Sequence, residues 1–95
     1  MIEEVEVVLM YAFESPKKDW TQVTFGFDVN NTYEKGFKPL EMWYNRKGIL
    51  SEFTQDMYGR KVKARFTYEG DLRDPNKLTR KVSEFDLDGR TYHLV

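Results

Sequence analysis

The sequence predicts a mainly β fold of antiparallel strands, built as a small barrel or a strongly curved sheet. Three observations carry this reading. Apolar residues alternate with polar ones at a spacing of two in several segments, the mark of strands with one buried face. Aromatic residues make up 16% of the chain, and rings pack better on a pleated, half-buried surface than along a helix. The chain also ends in two alternating runs separated by Asp88-Gly89, a strong short-range hairpin signal.

The first run places Val5, Val7, Leu9, Tyr11 and Phe13 on one face, with Glu4 and Glu6 on the other. Val8, Met10 and Ala12 make the second face apolar as well, so the later half is expected to be covered on both sides. Glu14 to Asp19 reads as a loop, because Pro16 lacks a backbone donor and the charged residues favour water. The pattern restarts at Trp20, where Thr21, Val23, Phe25, Phe27 and Val29 alternate with Gln22, Thr24, Gly26 and Asp28. Gly26 inside this strand points to a bulge or a bend. Asn30-Asn31-Thr32 ends the strand, and a polar connection with Gly36 and Pro39 leads to a short third strand on Leu40, Met42 and Tyr44.

Residues 48–58 are ambiguous. Ile49, Leu50, Phe53 and Met57 form a helical stripe, and Gly59 stands where a helix finds its left-handed cap. The strand alternative segregates no clean face, so a short helix is the reading adopted, which makes the fold mainly β or α+β with one short helix. Val62, Ala64, Phe66 and Tyr68 then alternate with Lys61, Lys63, Arg65 and Thr67, giving a core face and a basic ladder. A charged loop over residues 70–76 follows. In the final hairpin, a two-residue turn at Asp88-Gly89 sets Leu87 opposite Arg90, Phe85 opposite Tyr92 and Ser83 opposite Leu94. That register gathers Phe85, Leu87, Tyr92 and Leu94 on one face, and Val82, Glu84, Asp86, Thr91 and His93 on the other.

The resulting order is strand, strand, short strand, helix, strand, strand, strand. It is similar to the element order of an OB-type barrel, although no sequence motif ties the chain to a named family. Residues 1–95 are too few for two independent cores, so a single domain is expected.

A net charge of −1 predicts no strong overall attraction to nucleic acid or to an anionic membrane. The charge is nonetheless uneven. Residues 1–34 carry seven acids and two bases, whereas residues 60–81 carry eight bases and three acids. The absence of cysteine excludes disulfides and thiolate metal sites and favours a reducing compartment. The first six residues are acidic where an export signal is basic, and their apolar run is too short to span a membrane. A cytoplasmic protein is the expectation.

Few residues offer chemistry. His93, the only histidine, faces Glu84 in the hairpin register, an arrangement that serves either a general base or an ordinary cross-strand pair. No activated nucleophile accompanies it, so no enzyme is expected. Asp86, Asp88 and Gly89, with Asp71 and Asp74, resemble the opening of a calcium loop but lack the closing glutamate. No cofactor or metal is expected.

The most informative constellation is bases interleaved with rings: Trp43, Tyr44, Arg46, Lys47, Lys61, Lys63 and Arg65, with Arg73, Lys77, Arg80 and Lys81 further on. A positive groove with aromatic platforms is what holds single-stranded nucleic acid. The same bases equally form a solvated face that deters edge-to-edge aggregation. Two functions follow as expectations: a non-enzymatic protein binding single-stranded nucleic acid, or a module that binds a protein partner or forms a homo-oligomer. The second draws on the complementary charge of the two parts of the chain.

Overall fold

The computed structural model describes residues 3–17, 19–27, 39–71 and 73–95. Six strands form one antiparallel sheet: β1 (Glu3–Glu14), β2 (Thr21–Gly26), β3 (Leu40–Tyr44), β4 (Arg60–Gly70), β5 (Leu78–Leu87) and β6 (Arg90–His93). Their spatial order is β3-β2-β1-β4-β5-β6. Two three-stranded meanders are thus joined along the β1–β4 ladder, where Glu3 to Leu9 pair with Phe66 back to Arg60. Val29, the Asn30-Asn31-Thr32 stop and Gly36 lie outside the described residues.

The sheet is strongly curled. In a flat sheet β2 and β5 would stand about 14 Å apart, three strand spacings. The rings of Phe25 on β2 and Phe85 on β5 nevertheless meet with centroids 5.9 Å apart. Both are fully buried, with Val7, Leu9, Val23, Val62, Ala64 and Phe66 around them on the inner face. Curling also brings the edge strand β3 to β5, where the Tyr44 hydroxyl donates to the Val82 carbonyl at 2.7 Å. The Val82 N–H in turn points to the Met42 thioether at 3.3 Å. The sheet is therefore bridged by side chains across this seam and not closed by a backbone ladder, so of the two forms expected, a barrel or a strongly curved sheet, it takes the open one.

Two irregularities reset the alternation read from the sequence. β1 and β2 shift register between Leu9 and Tyr11, leaving Met10 as the extra residue of a bulge. Val7 and Leu9 face the core before the bulge and Ala12 after it, so Tyr11 and Phe13 turn to the outer face instead of continuing the inner one. A second shift lies between Arg65 and Phe66 on β4, opposite Ser83. It returns Val82 to the core, where it is fully buried, and not to the polar face expected for it. Gly26, read as a bulge or a bend, pairs with Val8, and the nearby bulge lies in the neighbouring strand.

Residues 48–58 form two 3-10 turns, Leu50–Glu52 and Gln55–Met57, in place of one helix. Phe53 and Thr54 between them are extended. This break lets Phe53 reach the rings of Phe85 and Tyr92, with centroids 5.7 and 5.9 Å away. Ile49 and Met57 are buried against the core. The Gly59 N–H donates to the Leu9 carbonyl at 2.7 Å, which ties the segment to β1.

The last hairpin has the expected register, with Leu87 opposite Arg90, Phe85 opposite Tyr92 and Glu84 opposite His93. Asp88 and Gly89 both have positive φ, 52° and 78°, as a type I′ turn demands. Tyr92 stacks on Phe85 at 5.0 Å.

The seam between β3 and β5 gives a direct test. Tyr44→Phe leaves the Val82 carbonyl without its buried donor, so we expect a loss of about 1.5 kcal/mol and a Tm lower by roughly 6–12 °C. Thermal unfolding followed by circular dichroism measures it; an unchanged Tm would show that the hydroxyl does not hold the seam.

Candidate functional site

The predicted basic ladder sits on the outer face of β4, and the β1–β4 register gives it acidic neighbours. Glu6 lies opposite Lys63 and Glu4 opposite Arg65. Lys61 approaches Glu6 at 3.8 Å, and Lys63 approaches Glu4 at 3.9 Å. Arg65 is the hub: its guanidinium contacts Asp86 at 2.5 Å, Glu84 at 3.0 Å and Glu4 at 3.4 Å. Asp86 also accepts from the Thr91 hydroxyl at 2.7 Å. These hydrogen bonds, that of Arg65 foremost, hold the Asp86 carboxyl well below the usual carboxylate range. The same pattern recurs at Glu3, which accepts from the Tyr68 hydroxyl at 2.6 Å and from Arg80 at 3.3 Å.

Four further bases also have partners. Arg46 contacts Glu52 at 2.7 Å, and the Lys47 ammonium stands 3.8 Å from Asp19. Arg73 pairs with Asp71, and Lys81 lies over the ring of Tyr44 at 4.6 Å. Tyr44 itself is 1% exposed and faces the core, so it offers no platform to a ligand. Trp43 and Tyr44, adjacent in sequence, thus point to opposite sides of β3. The structure does not gather Trp43, Lys61, Lys63 and Arg65 into one patch.

What the outer face does gather is rings. Trp43 on β3 lies opposite Gln22 on β2, and Gln22 lies opposite Phe13 on β1. Trp43 reaches across to meet Phe13 edge-on, with centroids 5.7 Å apart. Phe13 meets Tyr11 at 5.8 Å, and Tyr11 meets Tyr58 at 5.9 Å. Partial burial and the neighbouring Tyr11 push the Tyr58 phenol up. The row is open to solvent: Tyr11 is 55% and Trp43 41% exposed. Sequence alternation alone hides it, because the Met10 bulge is what turns Tyr11 and Phe13 outward.

A cavity of about 510 Å³ adjoins the Trp43 end of the row, lined by Ser15, Lys17, Trp20 and Trp43. The β1–β2 loop shapes it. The Ser15 N–H donates to the Trp20 carbonyl at 2.7 Å, and Asp19 adopts a left-handed φ of 53°. A second cavity of about 120 Å³ lies nearby, lined by Glu14, Asp19, Thr21, Lys47 and Gly48.

His93 and Glu84 are cross-strand partners, as the register requires, but Glu84 is committed to Arg65. Asp88 accepts both Arg60 guanidinium nitrogens, at 2.5 and 2.7 Å, which lowers its carboxyl. Among the described residues no group of three or more His, Cys, Asp or Glu is arranged to hold a metal, and no helix is long and apolar enough to cross a membrane. Compared with known proteins, the chain matches no family model, no curated protein and no solved structure.

The Arg65 hub predicts a pH dependence of stability. Asp86 binds its proton more weakly folded than unfolded, so the unfolded chain takes up protons first as pH falls. The stabilisation is complete above the ordinary carboxylate range, about pH 4, and is lost as pH drops through and below it. We expect the urea midpoint of the parent chain to fall more steeply between about pH 5 and pH 2 than that of Asp86→Asn. Parallel profiles would remove Asp86 as a source of acid lability.

Proposed function

We propose that the chain is a non-enzymatic binding domain with an OB-type barrel plan, which holds single-stranded nucleic acid on the outer face of β2 and β3 and on the adjoining rings of β1. The plan is supported by the neighbour order β3-β2-β1-β4-β5 together with the Tyr44–Val82 bridge from β3 to β5. In OB-type barrels that outer face and the loop between the first two strands carry oligonucleotides and oligosaccharides. The observation that carries the reading is the open row Trp43–Phe13–Tyr11, which ends at the cavity of the β1–β2 loop. Every base has a π-face, so rings such as these bind a strand with little regard for sequence.

The ligand surface is therefore moved away from Lys61, Lys63 and Arg65, whose charges are met by Glu4, Glu6, Glu84 and Asp86. Binding leans on stacking more than on charge. A labelled oligothymidylate of about 15 nucleotides tests this by fluorescence anisotropy at low salt. Each phosphate neutralised on a single strand adds about −0.7 to the slope of log affinity against log salt. With Lys17 as the described lysine at the rings, the slope is expected to be about −0.7, and Lys63→Gln is expected to leave affinity unchanged. Trp43→Ala or Tyr11→Ala is expected to weaken binding about 5- to 150-fold, the equivalent of one lost stack. No binding of any single strand at low salt would overturn the reading.

One observation favours a second reading, contact with a protein partner or a second copy through the same rings: the row Trp43–Phe13–Tyr11 presents exposed apolar surface. A concentration-dependent dimer in sedimentation, lost in Trp43→Ala, would select it.

A further inference from the structure

We infer that the cavity beside the β1–β2 loop is a subsite for one nucleobase with its phosphate; this rests on the nucleic-acid reading of the outer face. The volume of about 510 Å³ lies within the range of small-molecule sites, whereas the neighbouring 120 Å³ cavity is too small for a base and its sugar. Its lining joins the two chemistries a nucleotide presents. Trp20 and Trp43 bring two indole rings to its wall, the side chains on which a flat base stacks. Lys17 offers an ammonium to a phosphate, and the Ser15 hydroxyl both donates and accepts at a base edge.

The surroundings sharpen the choice of ligand. Lys17 has no ion-pair partner among the described residues, unlike Lys61, Lys63 and Arg65 on β4. The nearest acids of the loop, Glu14 and Asp19, line the smaller cavity instead, and Asp19 is matched there by Lys47 at 3.8 Å. Among the described residues a bare anion would find a single exposed ammonium, too little to hold it against water. A purely apolar ligand would leave Lys17 and Ser15 unused. A base with an attached phosphate engages all four of the described lining residues.

The loop also sets the geometry. The Ser15–Trp20 backbone hydrogen bond and the left-handed turn at Asp19 fix where Trp20 leaves the loop, while Trp43 is fixed by its pairing with Gln22 on β2. The two indoles come from elements with independent backbone anchors, so the cavity is formed before a ligand arrives.

Tryptophan fluorescence on the full chain tests the site with adenosine 5′-monophosphate, adenosine and inorganic phosphate as separate probes. The monophosphate is expected to quench saturably, adenosine to bind several-fold more weakly, and phosphate alone to produce no change. Lys17→Ala should bring the monophosphate down to the affinity of adenosine. Trp20→Ala should weaken both at least about fivefold, the low end of one lost stack, while Trp20→Phe, which keeps an aromatic ring in the loop, restores most of it. Oligothymidylate binding by the parent chain separates the two levels of the proposal. If the oligonucleotide binds but Trp20→Ala and Lys17→Ala leave every affinity unchanged, the subsite is overturned and the outer-face reading stands. If no oligonucleotide binds, the outer-face reading fails; saturable monophosphate quenching lost in Trp20→Ala would then show a site for free nucleotide.

Discussion

Between Leu9 and Tyr11, β1 holds one residue more than β2 can pair, and both faces of the sheet depend on that surplus. Without it, Tyr11 and Phe13 would follow Val7 and Leu9 into an interior that Phe25, Phe66 and Phe85 already fill. With it, Ala12 takes the inner position, a small residue where space is short, and two rings pass to the outside. Bulges also increase local twist, which suits a sheet whose second and fifth strands must meet across the core. One unpaired methionine thus links the curvature, the core composition and the aromatic face.

The charges follow a different logic. The acidic start of the chain and its basic fourth strand look, in one dimension, like opposite surfaces that could attract other molecules. In the fold they are cross-strand neighbours on one ladder, and their fields largely cancel. Exposed pairs such as Lys61–Glu6 contribute little to stability. Arg65 differs, because one planar guanidinium satisfies three carboxylates and is itself only 20% exposed. Its neighbourhood pins β1, β4 and β5 in register, and leaves the aromatic end of the sheet as the part of the outer face with apolar surface to offer.

How much of this the sequence reveals depends on whether the deciding interaction is local. The Asp88-Gly89 hairpin is legible down to its pairing, since turn chemistry alone selects the register. The inner positions of β2 and β4 are legible from alternation. The bulges at Met10 and Ser83 are not, because neither residue type marks one, and their need arises from packing between distant strands. The same holds for residues 48–58, whose helical stripe is real but is outweighed by the contact of Phe53 with Phe85 and Tyr92. Among the candidate site residues, Trp43 is exposed, whereas the burial of Tyr44 and the acid partners of Lys61, Lys63 and Arg65 depend on pairings about twenty to sixty residues apart in the chain.

The seam between β3 and β5 has a mechanical meaning as well. A backbone ladder resists separation at many points at once, but here a phenol and a thioether span the gap. The two meanders behave as a book with one sewn spine, the β1–β4 ladder, and a clasp at the opposite edge. Releasing the clasp would cost a few side-chain contacts and leave every strand pairing intact. A tug on β3, the strand that carries Trp43, would therefore reach Val82, on the far side of the core, as well as its ladder partner β2.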